Sequence, residues 1–262
     1  MAKTMNGEEA VVLFSGGSDS TLAAVMACQR FSRVHLLTYR TSPMSRLEKS
    51  RINAKRLQQK FGSEKVTHEF LDSDKIFRML YHGNYLRDLK KYKTYLSACV
   101  CSACSLSWHV STIIYNIRHN IRHASDGERY EDIPIWAELM ESNLKMVRGL
   151  YREYGISYET PVYKIRDTDR KLFELGITPE RDVKIEHFGL EMGDYSLRRW
   201  KSTQPDCHGG IVGAIYLSCF FLPLYGQAAN EKTANEYYRE KLDVCTQYLQ
   251  RLVMKRDNFS VV

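Results

Sequence analysis

Residues 10–21, which read AVVLFSGGSDST, decide the fold of this chain. Residues 10–14 form a continuous apolar run of strand length, which predicts a strand buried on both faces. Apolar residues at helical spacing follow, through Leu22 and Val25 to Phe31. A buried strand that runs through a glycine-rich turn into a helix predicts the start of a parallel β–α–β unit.

The segments that follow continue this alternation of strand and helix. We predict a second buried strand over residues 34–39, a charged amphipathic helix over 45–61 and a third strand over 66–70. Further along we predict helices over residues 75–95, 105–116, 133–150, 167–175 and 230–255, with short strands within 119–125 and over 156–158. The pattern indicates an α/β fold, a Rossmann-type parallel sheet flanked by helices with right-handed crossovers.

The size and composition of the chain fit one such domain. It has 262 residues, of which 44% are hydrophobic and 26% charged. We expect an ATP-binding and catalytic domain over residues 1–225, with residues 226–262 as a helical extension of the same domain. The net charge of +7 favours polyanionic partners such as nucleic acid, and it fits equally well a protein that binds only nucleotides.

Two features bear on localisation. The N-terminal ten residues contain no apolar signal core, so we expect a cytoplasmic protein whose cysteines stay reduced. The apolar stretch over residues 211–224 is short and carries Gly213 and Pro223. We predict a buried core helix there, and no membrane partner.

The turn after the first strand has the chemistry of a phosphate-binding loop. Glycines at positions 16 and 17 let the backbone approach an oxyanion closely. Successive amides and the positive end of the next helix favour an anion, and a carboxylate in such a loop suggests bound magnesium. The nucleotide-binding candidates are Ser15, Gly16, Gly17, Ser18, Asp19, Ser20 and Thr21, with Asp19 also a catalytic candidate.

An ordinary helix start is the alternative for this loop, since Ser and Asp cap helices and glycines form turns. Two other nucleotide-binding motifs do not occur: the chain has neither G-x-x-x-x-G-K-[ST] nor G-x-G-x-x-G.

The loop resembles the SGGxDS[ST] signature of the PP-loop ATP pyrophosphatases. These enzymes split ATP between its α and β phosphates, adenylate a carbonyl-type oxygen and let a nucleophile displace AMP. The resemblance implies that the loop holds the pyrophosphate end of ATP. It also implies that adenine and ribose lie near Thr38, Tyr39 and Arg40, at the end of the second strand.

A cysteine cluster provides the second set of candidates. Cys101 and Cys104 are three residues apart, so that both thiolates can reach one metal. Cys207 lies far downstream between turn-forming residues and is our candidate for a third ligand. The role of Cys99 stays open, and Cys28, Cys219 and Cys245 lie in apolar helical patterns typical of small core residues.

This layout resembles the iron–sulfur tRNA 2-thiocytidine and 2-thiouridine synthetases of the same superfamily. The resemblance implies a 4Fe-4S cluster held by Cys101, Cys104 and Cys207, with one iron open to bind hydrosulfide. It further implies a sulfurtransferase that uses ATP and Mg²⁺ and takes sulfur from sulfide or a cysteine desulfurase. Zinc at the same cysteines, a redox disulfide and a persulfide are the alternatives.

One segment departs from the family. Members often have an aliphatic strand ending in GHxxDD where this chain has ASDGERYED, in residues 124–132. Asp126 is our second catalytic candidate, as a magnesium or substrate contact; a solvated turn is the alternative. The arginine-rich run of the 2-thiocytidine type is also absent.

The identity of the substrate and the class of the protein stay open. The substrate is either a tRNA base or a small heterocyclic or carboxylic metabolite. Two alternatives to a sulfurtransferase also remain: a zinc-containing amide- or nitrile-forming ligase, and a non-catalytic ATP-binding adaptor. A homodimer is compatible with the sequence.

Overall fold

A five-stranded parallel sheet forms the centre of the molecule. The computed structural model describes residues 5–130, 135–179 and 203–257. The strand order is β4-β2-β1-β5-β6, and each neighbouring pair is parallel. These strands are Met5–Leu13 (β1), Phe31–Arg40 (β2), Val66–Asp72 (β4), His123–Ser125 (β5) and Ser157–Glu159 (β6). The predicted fold class is therefore confirmed.

The central position of β1 follows from its composition. Val11 and Val12 are fully buried, because helices cover both faces of the sheet. β2 lies on one side of β1, with Val12 opposite Leu36, and β5 lies on the other. The chain order thus reverses between β1 and β5. Open α/β sheets bind ligands at the carboxyl ends of the strands flanking such a switch point.

The helices surround the sheet and extend it on one side. They are Ser18–Arg30 (α1), Arg51–Phe61 (α2), Asp74–Tyr81 (α3), Tyr85–Tyr92 (α4), Cys99–His119 (α5), Glu141–Glu153 (α6), Thr168–Glu174 (α7), His208–Tyr216 (α8) and Leu222–Asp257 (α9). Short 3₁₀ segments span Leu47–Ser50, Lys93–Ser97 and Ala137–Leu139. α7 ends before Gly176, whose φ of 65° is left-handed, as a C-terminal glycine predicts.

A second, two-stranded sheet lies outside the first. β3 (Met44–Ser45) and β7 (Asp206–Cys207) pair antiparallel, with Met44 opposite Cys207. This pairing joins the loop after β2 to a segment more than 150 residues later in the chain, and no sequence pattern indicated it.

The prediction of a buried helix over residues 211–224 is correct about the helix and wrong about its burial. The segment is helical, through α8, a π-helical stretch Leu217–Phe221 and the start of α9. However, Val212 is 58% exposed and Leu224 72% exposed. α8 packs on α5, and Gly213 and Leu217 are buried on that side of the segment, while the other side faces outward.

This helical run also bears on the expected absence of a membrane partner. Within the described residues, the run His208–Met254 is long and apolar enough to cross a bilayer by length and composition alone, and 11% of its most apolar window is buried. The absence of a membrane partner remains a prediction.

Candidate functional site

The loop between β1 and α1 is shaped by its own hydroxyl groups. The Thr21 hydroxyl donates to the Gly17 carbonyl at 2.7 Å, and the Ser20 hydroxyl lies 3.1 Å from that of Ser15. Gly16 has a φ of 79°, which favours glycine because it has no Cβ. Gly17 begins α1 without a side-chain cap. The first-turn amides of α1 therefore face the end of the sheet, where an anion can accept from them.

Backbone from distant parts of the chain closes over the two glycines. A Cβ on Gly16 would lie 2.6 Å from Ser50 Cα and 2.7 Å from the Thr203 carbonyl oxygen. A Cβ on Gly17 would overlap the side chain of Gln204. Gly16 therefore requires glycine both for close packing and for its backbone conformation, whereas a Cβ at Gly17 would displace only the end of the Gln204 side chain.

Asp19 lies in the first turn of α1 and has two partners. Thr168, the first residue of α7, donates its hydroxyl to Asp19 at 2.5 Å. Arg129 lies 3.4 Å from the other carboxylate oxygen. A third of the Asp19 side chain stays exposed, so that magnesium can reach the carboxylate from solvent.

Gly127 is a site residue that the sequence reasoning missed. It follows β5, and a Cβ there would lie 2.7 Å from both the Asp19 carbonyl carbon and Ser20 Cα. The turn after β5 therefore packs directly on the backbone of the first turn of α1. The missed signal was a glycine right after the predicted acidic residue, at the end of the strand next to β1.

Asp126, in the same turn, is buried. Its Oδ1 accepts from the Glu128 amide at 3.1 Å, and Tyr158 donates its hydroxyl to Oδ2. Burial raises the pKa of this carboxyl to about 6, while the hydrogen bond from Tyr158 lowers it. The structure brings Asp126 to the same end of the sheet as Asp19; its predicted role as a magnesium or substrate contact stays a prediction.

The raised pKa of Asp126 predicts a pH-dependent stability. Its pKa in the folded state lies above the ordinary value of 3.8, so the native state keeps this proton longer than the unfolded state. The contribution to the free energy of unfolding is therefore greatest below about pH 4 and is lost as the pH rises to about 6. Across this window we expect wild type to lose on the order of 2–3 kcal/mol relative to Asp126→Asn.

Urea unfolding of both proteins between pH 4 and pH 7 measures this difference. Carboxyls whose pKa is lowered in the folded state, such as Glu159 beside Arg30, make the protein more stable as the pH rises. They are present in both proteins and cancel when the two curves are subtracted. Parallel curves would mean that Asp126 has an ordinary pKa.

Thr38 and Tyr39, at the end of β2, are less accessible than predicted, whereas Arg40 is exposed. Thr38 is buried and donates its hydroxyl to the Phe14 carbonyl at 2.7 Å. Tyr39 is buried on the opposite face of the sheet, with its hydroxyl 2.6 Å from that of Thr112 and its ring stacked on Trp108. Tyr39 therefore offers a nucleotide its backbone and not its ring. Its part in binding ATP remains a prediction.

The structure brings the three predicted cysteine ligands to one place. Cys101 and Cys104 lie in the first turns of α5 on one face, and the thiol of Cys207 interacts with that of Cys101. A Cβ on Gly210 would lie 3.3 Å from the Cys207 sulfur and 3.7 Å from the Cys101 sulfur. The sulfur of Cys104 lies 3.6 Å from the Thr41 hydroxyl.

The surroundings of these thiols favour their protonated forms when no cation is present. Contact with Cys207, followed by burial, raises the pKa of Cys101. Burial raises the pKa of Cys104 as well.

The donor set fits a thiophilic metal centre in composition. Three soft sulfur ligands converge, and glycine at position 210 leaves space beside two of them. The described residues contain no group of three His, Cys, Asp or Glu side chains already at coordinating distances. Cys101, Cys104 and Cys207 therefore lie near one another, and their side chains would have to move before they could coordinate one metal.

The other four cysteines lie apart from this group. Cys28, Cys99 and Cys245 are buried, as small core residues are. Cys219 is exposed, so the core position predicted for it is wrong; it lies on the outward side of the π-helical stretch.

Cys207 is held by charged as well as backbone contacts. The neighbouring Asp206 is buried and pairs with Lys49 at 3.1 Å and with Arg46. The amide of His208 donates to the Pro43 carbonyl at 2.9 Å. The segment carrying Cys207 is thus attached to the loop after β2, which brings this thiol to α5.

One family model matches part of the chain. A model of a family of unknown function, DUF7411, matches residues 8–90, which is less than half of the chain. No curated protein matches the sequence.

Three solved structures are similar to the chain. A predicted subunit of tRNA methyltransferase from Methanocaldococcus jannaschii is 22% identical, with a TM-score of 0.40 over 64% of this chain and 73% of that one. A 4-thiouridine synthetase in complex with RNA and ATP is 16% identical, with a TM-score of 0.44 over 86% of this chain and 54% of that one. The U34-tRNA thiolase of Methanococcus maripaludis with its 4Fe-4S cluster is 14% identical, with a TM-score of 0.41 over 90% and 72%.

The names of the first and third of these proteins mention tRNA, and that of the second mentions RNA. Their identities are below 25% and their TM-scores below 0.5. No site residue or activity is therefore transferred from them to this chain.

Proposed function

We propose that the chain is an ATP-dependent sulfurtransferase. In this proposal it adenylates a carbonyl oxygen of its substrate and replaces that oxygen with sulfur at the three gathered cysteines. The substrate is a tRNA base or a small heterocyclic or carboxylic metabolite. The expected cofactors are Mg²⁺ and a 4Fe-4S cluster, and sulfide or a cysteine desulfurase is the expected sulfur source.

The observation that carries this proposal is the short distance between the loop and the thiols. Gln204 lies against Gly17, and Cys207, three residues later, lies against Cys101. Three residues span at most about 11 Å even when fully extended. A nucleotide held by the loop and a sulfur species held by the thiols would therefore meet within one site.

The first half of the reaction uses the loop. The substrate carbonyl oxygen attacks the α-phosphorus of ATP, a new O–P bond forms, and pyrophosphate leaves. The first-turn amides of α1 would stabilise the charge that develops on the pyrophosphate. Asp19 would hold magnesium against the same phosphates.

The second half exchanges oxygen for sulfur. Hydrosulfide attacks the adenylated carbon, the C–S bond forms, and the C–O bond breaks as AMP leaves with the oxygen. Hydrosulfide and water are at the same oxidation level, so the exchange needs no external oxidant or reductant. A 4Fe-4S cluster held by Cys101, Cys104 and Cys207 would supply an open iron that binds hydrosulfide.

Metal content tests the assignment of the cysteines. After anaerobic purification we expect the wild type to contain about four iron and four sulfide per chain, as such a cluster requires. Cys104→Ser should lose most of this iron, because two thiolates do not hold a stable centre. Cys219→Ser, which alters an exposed thiol outside the group, should keep the wild-type content.

The outcome separates the alternatives. Full iron retention in Cys104→Ser would remove Cys104 from the ligand set. Stoichiometric zinc in a colourless protein would favour the amide- or nitrile-forming ligase. Release of AMP and pyrophosphate, measured with bulk tRNA and with small heterocycles, tests the reaction itself. A protein that binds ATP and releases neither product with any substrate would be the non-catalytic adaptor.

A further inference from the structure

Residues 203–207, which we call the bridging segment, join the nucleotide loop to the thiols. At one end the Thr203 hydroxyl donates to the Gly16 carbonyl at 2.6 Å. The amide group of Asn53, on α2, donates to the same carbonyl at 2.8 Å and to the Thr203 hydroxyl at 3.1 Å. Three separate parts of the chain thus meet at Gly16, and the bridging segment is one of them.

The other end of the bridging segment is held just as firmly. Asp206 is 3% exposed and lies between Arg46 and Lys49, and Cys207 pairs with Met44 across the small sheet. A buried carboxylate with two cationic partners is expensive to move, because moving it leaves charge unpaired. Gln204 is therefore presented to the loop by backbone fixed on both sides.

The side chain of Gln204 lies beside the loop, where it could contact a phosphate bound there. Its carboxamide lies directly over Gly17, at the start of α1, with Oε1 nearest to where a Cβ would stand and Cδ 3.5 Å from it. A half-turn of the carboxamide about its Cγ–Cδ bond would put the N–H group in the place of this oxygen. The residue is exposed, so a ligand in the loop can reach it. A carboxamide carries two N–H donors and no charge, and it can donate to a phosphate oxygen without disturbing the charge balance of the loop.

We propose that Gln204 is a nucleotide-binding residue, which donates its side-chain N–H to the phosphates of ATP held by the loop. Asp206 is a positioning residue that holds Gln204 there. This inference rests on the proposed function, because it takes ATP as the ligand of the loop. The phosphate-binding site then consists of α1 from one side and the bridging segment from the other.

Affinity for ATP, measured by isothermal titration calorimetry, tests the proposal. We expect Gln204→Ala to weaken ATP binding by about tenfold, because the variant loses a hydrogen bond to a charged phosphate group. Gln204→Glu keeps the size and packing of the side chain but brings a negative charge to the phosphates. It should bind ATP still more weakly than the alanine variant in magnesium-free buffer, where no cation can bridge the carboxylate and ATP.

Gln59→Ala is the matched control, since Gln59 is an exposed glutamine on the outer face of α2. It should bind ATP like the wild type. If Gln204 makes no contact with the phosphates, the alanine variant should bind ATP like the wild type. If Gln204 instead blocks the loop, the alanine variant should bind more tightly. Either result overturns the proposal.

The proposed function can fail separately. If the wild type binds no ATP with or without magnesium, the loop is not a nucleotide site and the proposed function is refuted. If the wild type binds ATP and both Gln204 variants bind it with the same affinity, only the role proposed for Gln204 is refuted. Thermal unfolding of each variant shows whether a loss of affinity reflects a loss of fold.

Discussion

Asp19→Ala is expected to slow AMP formation by roughly 10²–10³-fold, because the loss of one preorganised electrostatic group at a reacting centre costs about that much. Asp19 lies in the first turn of α1, where its carboxylate is reachable and is oriented by Thr168 at 2.5 Å. Without it the magnesium that would neutralise the pyrophosphate has no carboxylate at this point of the loop. The rate is measured as AMP and pyrophosphate release with the active substrate.

The fold should survive the same change. Asp19 is partly exposed, and its pairing with Arg129 at 3.4 Å is a surface interaction worth little to stability. The unfolding temperature should therefore stay close to that of the wild type. Asp243→Ala, an exposed aspartate on α9, is the matched control and should keep full activity. Unchanged turnover in Asp19→Ala would refute the role assigned to this carboxylate.

Gly127→Ala should damage both nucleotide binding and stability. The added methyl group would meet backbone, at 2.7 Å from the Asp19 carbonyl carbon and from Ser20 Cα, and backbone cannot rotate away as a side chain can. Overpacking of this kind costs about 1–3 kcal/mol of stability. If the first turn of α1 moved to relieve this overlap, the amides that would bind the phosphates would move with it. We expect a loss of ATP affinity of at least tenfold.

Gly149→Ala provides the comparison. Gly149 lies inside α6, and a Cβ there would meet nothing within 4 Å. Alanine in a helix interior is favoured over glycine by about 0.5–1 kcal/mol, so this variant should be as stable as the wild type or more so. Urea unfolding and ATP titration of both variants measure the two effects. Wild-type affinity in Gly127→Ala would show that the turn after β5 does not support the loop.

Local patterns predict the part of the site that lies near β1. The apolar run at residues 10–14, the glycines at 16 and 17 and the helix after them lie within one short stretch, so their geometry follows from propensities and turn chemistry. The spacing of Cys101 and Cys104 predicts a shared helix face in the same way. On a helix, residues three apart lie on one face, whereas Cys99, two residues before Cys101, points away and is buried.

The contacts that complete the site could not be predicted, because they join residues far apart in the chain. The pairing of Met44 with Cys207 involves two-residue strands, which are too short for any periodic signal. The contacts of residues 203 and 204 with the glycines are of the same kind. Tyr39 illustrates another limit: its end-of-strand position was predicted, but strand alternation places its side chain on the far face of the sheet.

The exposed helix around Leu224 shows why apolar composition alone is a poor guide to burial. An apolar run indicates that a surface tends to be covered, but not which part of the fold covers it. Here only the side that carries Gly213 and Leu217 is buried.

The hydrogen bond between Thr203 and Gly16 joins residues 187 positions apart, which has a consequence for the order of assembly. β1 can pair with β2 as soon as about 40 residues have emerged from the ribosome, because their separation is small. The loop receives its final contacts only when the chain has been made past residue 207. A nascent chain shorter than this would already have a growing sheet but would lack the contacts of residues 203 and 204 with the loop. The proposed phosphate site would therefore be completed late in synthesis.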